Sequence, residues 1–340
     1  MSHKIKTLSE YFQEYKKSLD QPEQFWAQIA EEFLWKKPWD KVLSWDFVGP
    51  DIKWFENAKL NLTENIFERH IDSHGEKTAI IWEPNDPNEA ERRISYNELF
   101  ALTCQFSNAL ESKGIQKGDR VIIYMPMIPE AAIAMLACAR VGAVHSVVFA
   151  GFSSTALADR INDCQAKMIL TSDGNFRGAK NIDVKAVVDE ALENTHSIEK
   201  VIVYQRTGQE IQINEKDLMW SDVMDTSSDI CDAEQLDSND SLYILYTSGT
   251  TGKPKGVLHG IGGYLTHVYS TYKWAFDIKD HDVYFCTADI GWVTGHSYVV
   301  YGPLLHGATQ VMYEGAPDHP NSSRMWGIIQ KYGVTIFYTT

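Results

Sequence analysis

The chain's sequence predicts an α/β fold, with parallel-rich sheets covered by helices, and three features carry that expectation. From about residue 78 short apolar runs alternate with helix-period runs, the short runs are apolar throughout, and a glycine- and hydroxyl-rich stretch follows one of them directly. Strands buried on both faces read as unbroken apolar runs, and parallel neighbours need a crossover helix between them. With 340 residues, 44% of them hydrophobic, the chain can build one large core and a smaller appended piece.

The smaller piece comes first. Leu8, Tyr11, Phe12 and Tyr15 recur at i, i+3, i+4, i+7, which marks one face of a helix. Trp26, Trp35, Trp39, Trp45 and Trp54 are half of the chain's ten tryptophans. A segment so rich in rings and so poor in periodicity must bury them against something larger, so residues 1–70 are expected to form a cap on a main domain at 71–340. Within that domain a strand is expected over 78–82 and a turn over 83–87. Ser95 and Glu98 have capping-box spacing and open a helix that Gly114 closes. Strands over 120–125, 143–149 and 167–171 alternate with helices over 130–140 and 155–164, the latter capped by Ser153 or Ser154. Residues 205–241, with Asp225, Asp229, Asp232, Glu234, Asp237 and Asp240, break the rhythm and read as a solvated connection. They lack the central glycine of a calcium loop. The alternation resumes with strands over 242–246, 283–286, 309–313 and 334–338 and a helix over 323–331.

Charge and cysteine usage exclude several functions. Against 31 basic residues stand 46 acidic ones, a net charge of −15, so neither nucleic acid nor an anionic membrane is an expected partner. Cys104, Cys138, Cys164, Cys231 and Cys286 are odd in number and widely spaced, without Cys-x-x-Cys, as free thiols in a reducing compartment would be. His70 and His74 have metal spacing without the carboxylate motif that usually accompanies it. Residues 1–18 have no continuous apolar core and 131–139 are too short to span a bilayer, so a cytoplasmic location is expected.

The chemistry concentrates at 246–257, Tyr-Thr-Ser-Gly-Thr-Thr-Gly-Lys-Pro-Lys-Gly-Val. Glycines let backbone N–H groups converge, Thr247, Ser248, Thr250 and Thr251 add hydroxyls, and Lys253 and Lys255 add positive charge, which together suit a polyphosphate. The spacing is not that of the P-loop, since only two residues separate Gly249 from Gly252-Lys253-Pro254, nor that of the dinucleotide fingerprint.

This stretch resembles the signature loop of the adenylate-forming superfamily. Ala288-Asp289-Ile290-Gly291-Trp292-Val293-Thr294-Gly295-His296-Ser297-Tyr298 resembles the next motif of its acetyl-CoA synthetase branch, and the opening through His70 resembles that branch's N-terminal extension. The resemblance implies the large N-terminal domain of an AMP-forming acetate–CoA ligase, which makes acetyl-AMP from acetate and ATP and then passes the acetyl group to coenzyme A. It implies ATP, Mg²⁺ and coenzyme A as cofactors, with Thr247, Ser248, Gly249, Thr250, Thr251, Gly252, Lys253 and Lys255 around the β- and γ-phosphates. Trp292, Val293 and Thr294 would line the acyl pocket, Thr294 also touching the pantetheine side. Arg177, Gly178, Ala179 and Lys180 match the family's Arg-x-x-Arg coenzyme A site, with lysine replacing the second arginine, and Asp318 falls near a family asparagine. No protein metal ligands are expected in this chain. The adenine segment, ribose aspartate, hinge and catalytic lysine of the family have no counterpart before Thr340, so the polypeptide alone is expected to be inactive as a ligase. Alternatives are the same reaction on propionate, a non-catalytic nucleotide- or partner-binding fragment, and a phosphotransferase, for which no base motif is visible.

Overall fold

Strand order gives two large sheets and three two-stranded ones, in a computed structural model that describes residues 5–247 and 254–340. The first has seven strands in the spatial order Asp217–Met219, Lys200–Tyr204, Met168–Ser172, Arg120–Tyr124, Val144–Val147, Ser241–Thr247 and Lys255–Gly260. All neighbours are parallel except the last pair. The second has five, Ile336–Tyr338, Val283–Cys286, Thr309–Tyr313, Thr78–Glu83 and Arg92–Ser95, again parallel except at the last pair. The parallel-rich sheets expected from the alternation are thus two, each ended by one antiparallel strand.

Alternation of side chains along the strands explains how the sheets share a core. Val121 and Ile123 of the first sheet and Ile80, Trp82 and Met312 of the second belong to one buried cluster. The residues between them face outward to separate helix layers: Ile122 and Tyr124 meet Leu157 and Val188, while Ile81 and Val311 meet Ile328 and Tyr332. Both faces of both sheets are thereby covered. In the central cluster lies the helix Pro129–Val141, of which every residue is buried, beside the helix Tyr96–Ser112. Ser95 caps the latter by accepting from Glu98 N, and Ser153 caps the helix Ser154–Cys164. Gly114 follows the first of these with φ 93°, where a side chain would be strained.

Two expectations change. The cap is only partly packed: Trp26, Trp35, Trp39 and Trp54 lie against the core, but Trp45 is 63% exposed on the hairpin Lys41–Asp46/Asp51–Glu56, and the helix Leu8–Asp20 buries nothing. Residues 205–241 also hold regular structure, the strand Asp217–Met219 and the helix Trp220–Asp225. Trp220 stacks on Phe106 with ring centroids 3.9 Å apart, an apolar anchor that the surrounding acidic residues obscured.

Candidate active site

The strand Ser241–Thr247 runs out to Thr247, which pairs directly with Lys255 at the start of the returning strand. Of the expected phosphate loop, Lys255, Gly256 and Val257 belong to a strand. Ser248, Gly249, Thr250, Thr251, Gly252 and Lys253 lie outside the described residues. Thr247 and Lys255 are both exposed, and among the described residues no carboxylate pairs with Lys255. An ammonium left unneutralised is free to meet an anionic ligand.

A ladder of rings and cations leads from this hairpin to the second motif. Tyr246 lies 5.4 Å from the Arg160 guanidinium, which sits 4.8 Å over Phe152, and Phe152 meets Trp292 edge-on at 6.3 Å. The base of the hairpin and Trp292 therefore stand on one side of the molecule. Trp292 is 51% exposed, so it is not a core ring in a loop. Glycines on either side of it allow a tight backbone: a Cβ on Gly291 would come within 3.0 Å of the Phe149 backbone, and one on Gly295 within 2.1 Å of Asp289 O.

Trp292 and Thr294 line a cavity of about 670 Å³ between the two sheets, together with Phe149, Arg177, Asp289 and Glu314. That size suits an elongated small molecule. Val293 is exposed and is not among the lining residues, so the geometry does not make it the wall of an acyl pocket. Asp289, half-buried, accepts from Gly291 N at 2.7 Å. Burial raises its pKa, opposed by that N–H and by Arg177.

Arg177 and Lys180 are opposite partners in the small hairpin Asn175–Arg177/Lys180–Ile182. Gly178 turns the chain at φ 61°, and Asn85 clamps it, donating to Gly178 O and accepting from Gly178 N, both at 2.9 Å. The Arg177 guanidinium lies 5.3 Å over the Phe149 ring at the cavity's edge. Gly178 lines a neighbouring cleft, whereas Ala179, Lys180 and Asp318 are exposed and line neither. Arg177 is thus the one charged member of the expected coenzyme A set that meets the cavity.

Behind that hairpin stands Arg206, which the sequence reading did not single out. Its guanidinium pairs with Glu314 at 2.7 Å and Glu89 at 2.8 Å and covers Trp82 and Phe176, both at 4.9 Å. It joins the loop after the first sheet's strand Lys200–Tyr204 to loops after two strands of the second sheet, and so holds the cavity's two walls together. Burial pushes the Glu314 carboxyl up to about 7 against the pull of Arg206. Nothing short of the tertiary pairing could have revealed this, since its members are far apart in sequence.

A family model described as AMP-binding enzyme matches residues 67–340. The chain belongs to this family. A second model, described as acetyl-coenzyme A synthetase N-terminus, matches residues 11–66. The chain is similar to a protein described as acetyl-coenzyme A synthetase from Rubrobacter xylanophilus, 53% identical over 96% of this chain and 50% of that protein. A namesake from Novosphingobium aromaticivorans is 50% identical over 95% of this chain and 50% of its own length. Among solved structures, acetoacetyl-CoA synthetase from Streptomyces lividans superposes with a TM-score of 0.87 at 27% identity, covering 96% of this chain and 49% of that one. This member of the AMP-binding family thus spans about half the length of the curated relatives it matches. No helix among its described residues is long and apolar enough to cross a membrane.

Proposed function

We propose that this chain forms the large-domain portion of an AMP-forming acetate–CoA ligase, residues 1–70 as a cap and 71–340 as the AMP-binding part. The observation that carries the reading is the chain of contacts that links Tyr246, at the start of the signature stretch, to Trp292 at the cavity, in a chain about 50% identical to acetyl-coenzyme A synthetases. Displacing pyrophosphate from ATP by acetate requires two anions to be aligned and their charge met. Thr247, Ser248, Gly249, Thr250, Thr251, Gly252, Lys253 and Lys255 would meet the phosphates with amides, hydroxyls and ammonium groups. The cavity would take the acyl group and the pantetheine arm, with Trp292 and Thr294 against them and Arg177 at the mouth for coenzyme A phosphate.

Magnesium would neutralise phosphate charge in this scheme. The ion would arrive bound to the nucleotide, beside the hydroxyls and ammonium groups named above. A cytoplasmic setting accords with five free cysteines.

Calorimetric titration of the chain with coenzyme A and with Mg·ATP tests the reading. Arg177→Ala is expected to weaken coenzyme A by roughly tenfold or more, the worth of one charge-assisted hydrogen bond, and to leave ATP unaffected. Lys255→Ala should do the reverse. A wild-type chain that binds neither nucleotide overturns the proposal, and comparing acetate with propionate in hydroxamate formation by the enzyme that carries this sequence decides the acid.

A further inference from the structure

The chain from Met224 to Cys231 is stitched to the middle of the helix Tyr96–Ser112. Gln105 Nε2 donates to Met224 O at 2.7 Å, and Asn108 Nδ2 donates to Ser228 O and Ile230 O at 2.7 and 2.9 Å. One turn further along, the Cys104 thiol faces Cys231, its Sγ 3.7 Å from Cys231 O, while the Cys231 thiol donates to Asp232 O at 3.2 Å. Arg140, 2% exposed, closes the cradle: its Nη2 and Nε donate to Cys231 O at 2.6 and 3.2 Å.

We propose that Cys231 and Cys104 form a peroxide-reactive pair, Cys231 as the attacking nucleophile and Cys104 as the thiol that resolves it into a disulfide. Contact with Cys104, aided by the charge of Arg140 against partial burial, holds the Cys231 thiol below its ordinary pKa, while its partner is raised. The nucleophile in such chemistry is the thiolate, and a cationic, hydrogen-bonding, solvent-reachable setting is what favours it. Cys231 is half-exposed, so a small hydroperoxide can reach it. The other cysteines lack this setting: Cys138 and Cys286 are buried, and burial raises the thiol of half-exposed Cys164.

The steps balance. Cys231 thiolate attacks one peroxide oxygen, the O–O bond breaks, and its electron pair leaves with the second oxygen, which takes a proton to become water. The sulfenic acid formed at Cys231 is attacked by the Cys104 sulfur, the S–O bond breaks, and the hydroxide released takes the Cys104 proton. Two thiols are oxidised, and one hydrogen peroxide is reduced to two waters. The disulfide would replace a weak contact between segments 127 residues apart with a covalent staple.

Hydrogen peroxide added in small excess to the reduced 340-residue chain is the test, read by intact mass and peptide mapping. The expected result is a loss of about two mass units and a Cys104–Cys231 cross-linked peptide, both reversed by dithiothreitol. Cys104→Ser should instead leave a sulfenic acid at residue 231 that dimedone traps. Cys231→Ser should abolish the reaction, and Cys164→Ser should change nothing. Five thiols that survive intact, a disulfide joining any other pair, or oxidation that begins at Cys164 overturns the proposal.

Discussion

Two helices of similar length show opposite relations between pattern and burial. The helix Leu8–Asp20 carries a clean apolar stripe, yet Leu8, Tyr11, Phe12 and Tyr15 are all about half exposed or more and no residue in it is buried. The helix Pro129–Val141 has almost no polar face, and all thirteen of its residues are buried, Glu130 and Arg140 included. Periodicity states which face of a helix could be buried; whether a partner covers that face is decided elsewhere in the chain. Glu130 and Arg140 are tolerated inside because each has an ion partner, Arg92 at 2.7 Å and Glu68 at 2.9 Å.

The contrast is sharpest where side chains are removed. Leu136→Ala in the buried helix is expected to cost roughly 2–5 kcal/mol, since it leaves a cavity in the shared core, and a urea-unfolding series measures it. A loss under about 1 kcal/mol would mean that this helix is less tightly held than its burial implies.

Acid should act on the same core. Burial pushes the His296 imidazole down to about 4 and His306 to about 3, so both are neutral in the folded chain at neutral pH. Between these values and 6.5 the unfolded chain binds more protons. Stability is therefore complete above pH 6.5 and is lost as pH falls towards 4, with each tenfold change in proton affinity worth about 1.4 kcal/mol. His306→Phe keeps the stack on Tyr269 but removes one site of proton uptake. Its thermal midpoint should fall less steeply between pH 6.5 and 4 than that of the wild type.

Two smaller effects belong to the exposed helix. Thr7 and Glu10 form a reciprocal capping box there, and Thr7→Ala should lower its helicity by circular dichroism at a cost of about 1 kcal/mol. The midpoint of global unfolding should stay in place, because the helix is not part of the core. Leu8→Ala, at a residue 70% exposed, should fall within about 0.5 kcal/mol of the wild type. A loss comparable to that of Leu136→Ala would show that something covers this helix in solution.

Much of the fold was legible because strand and helix segments announce themselves locally. The strands Val283–Cys286 and Thr309–Tyr313 fall where their apolar runs do, and Ser95 and Ser153 cap the helices they precede. The strand Asp217–Met219 and the helix Trp220–Asp225 were not legible, because their apolar residues are few and surrounded by acids. At the site, the close approaches at Gly291 and Gly295 could be argued from glycine spacing around a tryptophan. Phe149, Glu314 and Arg206 could not, since each is an ordinary residue until partners from other strands surround it.

Apolar runs, caps and the glycine–hydroxyl–lysine stretch are local properties, so the sequence by itself determined the α/β class, the family resemblance and the residue types available for phosphate. Which strands share a sheet, that two sheets rather than one enclose a common core, and that Arg206 ties their loops around one cavity came only from the tertiary structure. The reason is physical: backbone preference and hydrophobic period act over a few residues, whereas strand pairing, ion pairs and cavities depend on groups brought together from far along the chain.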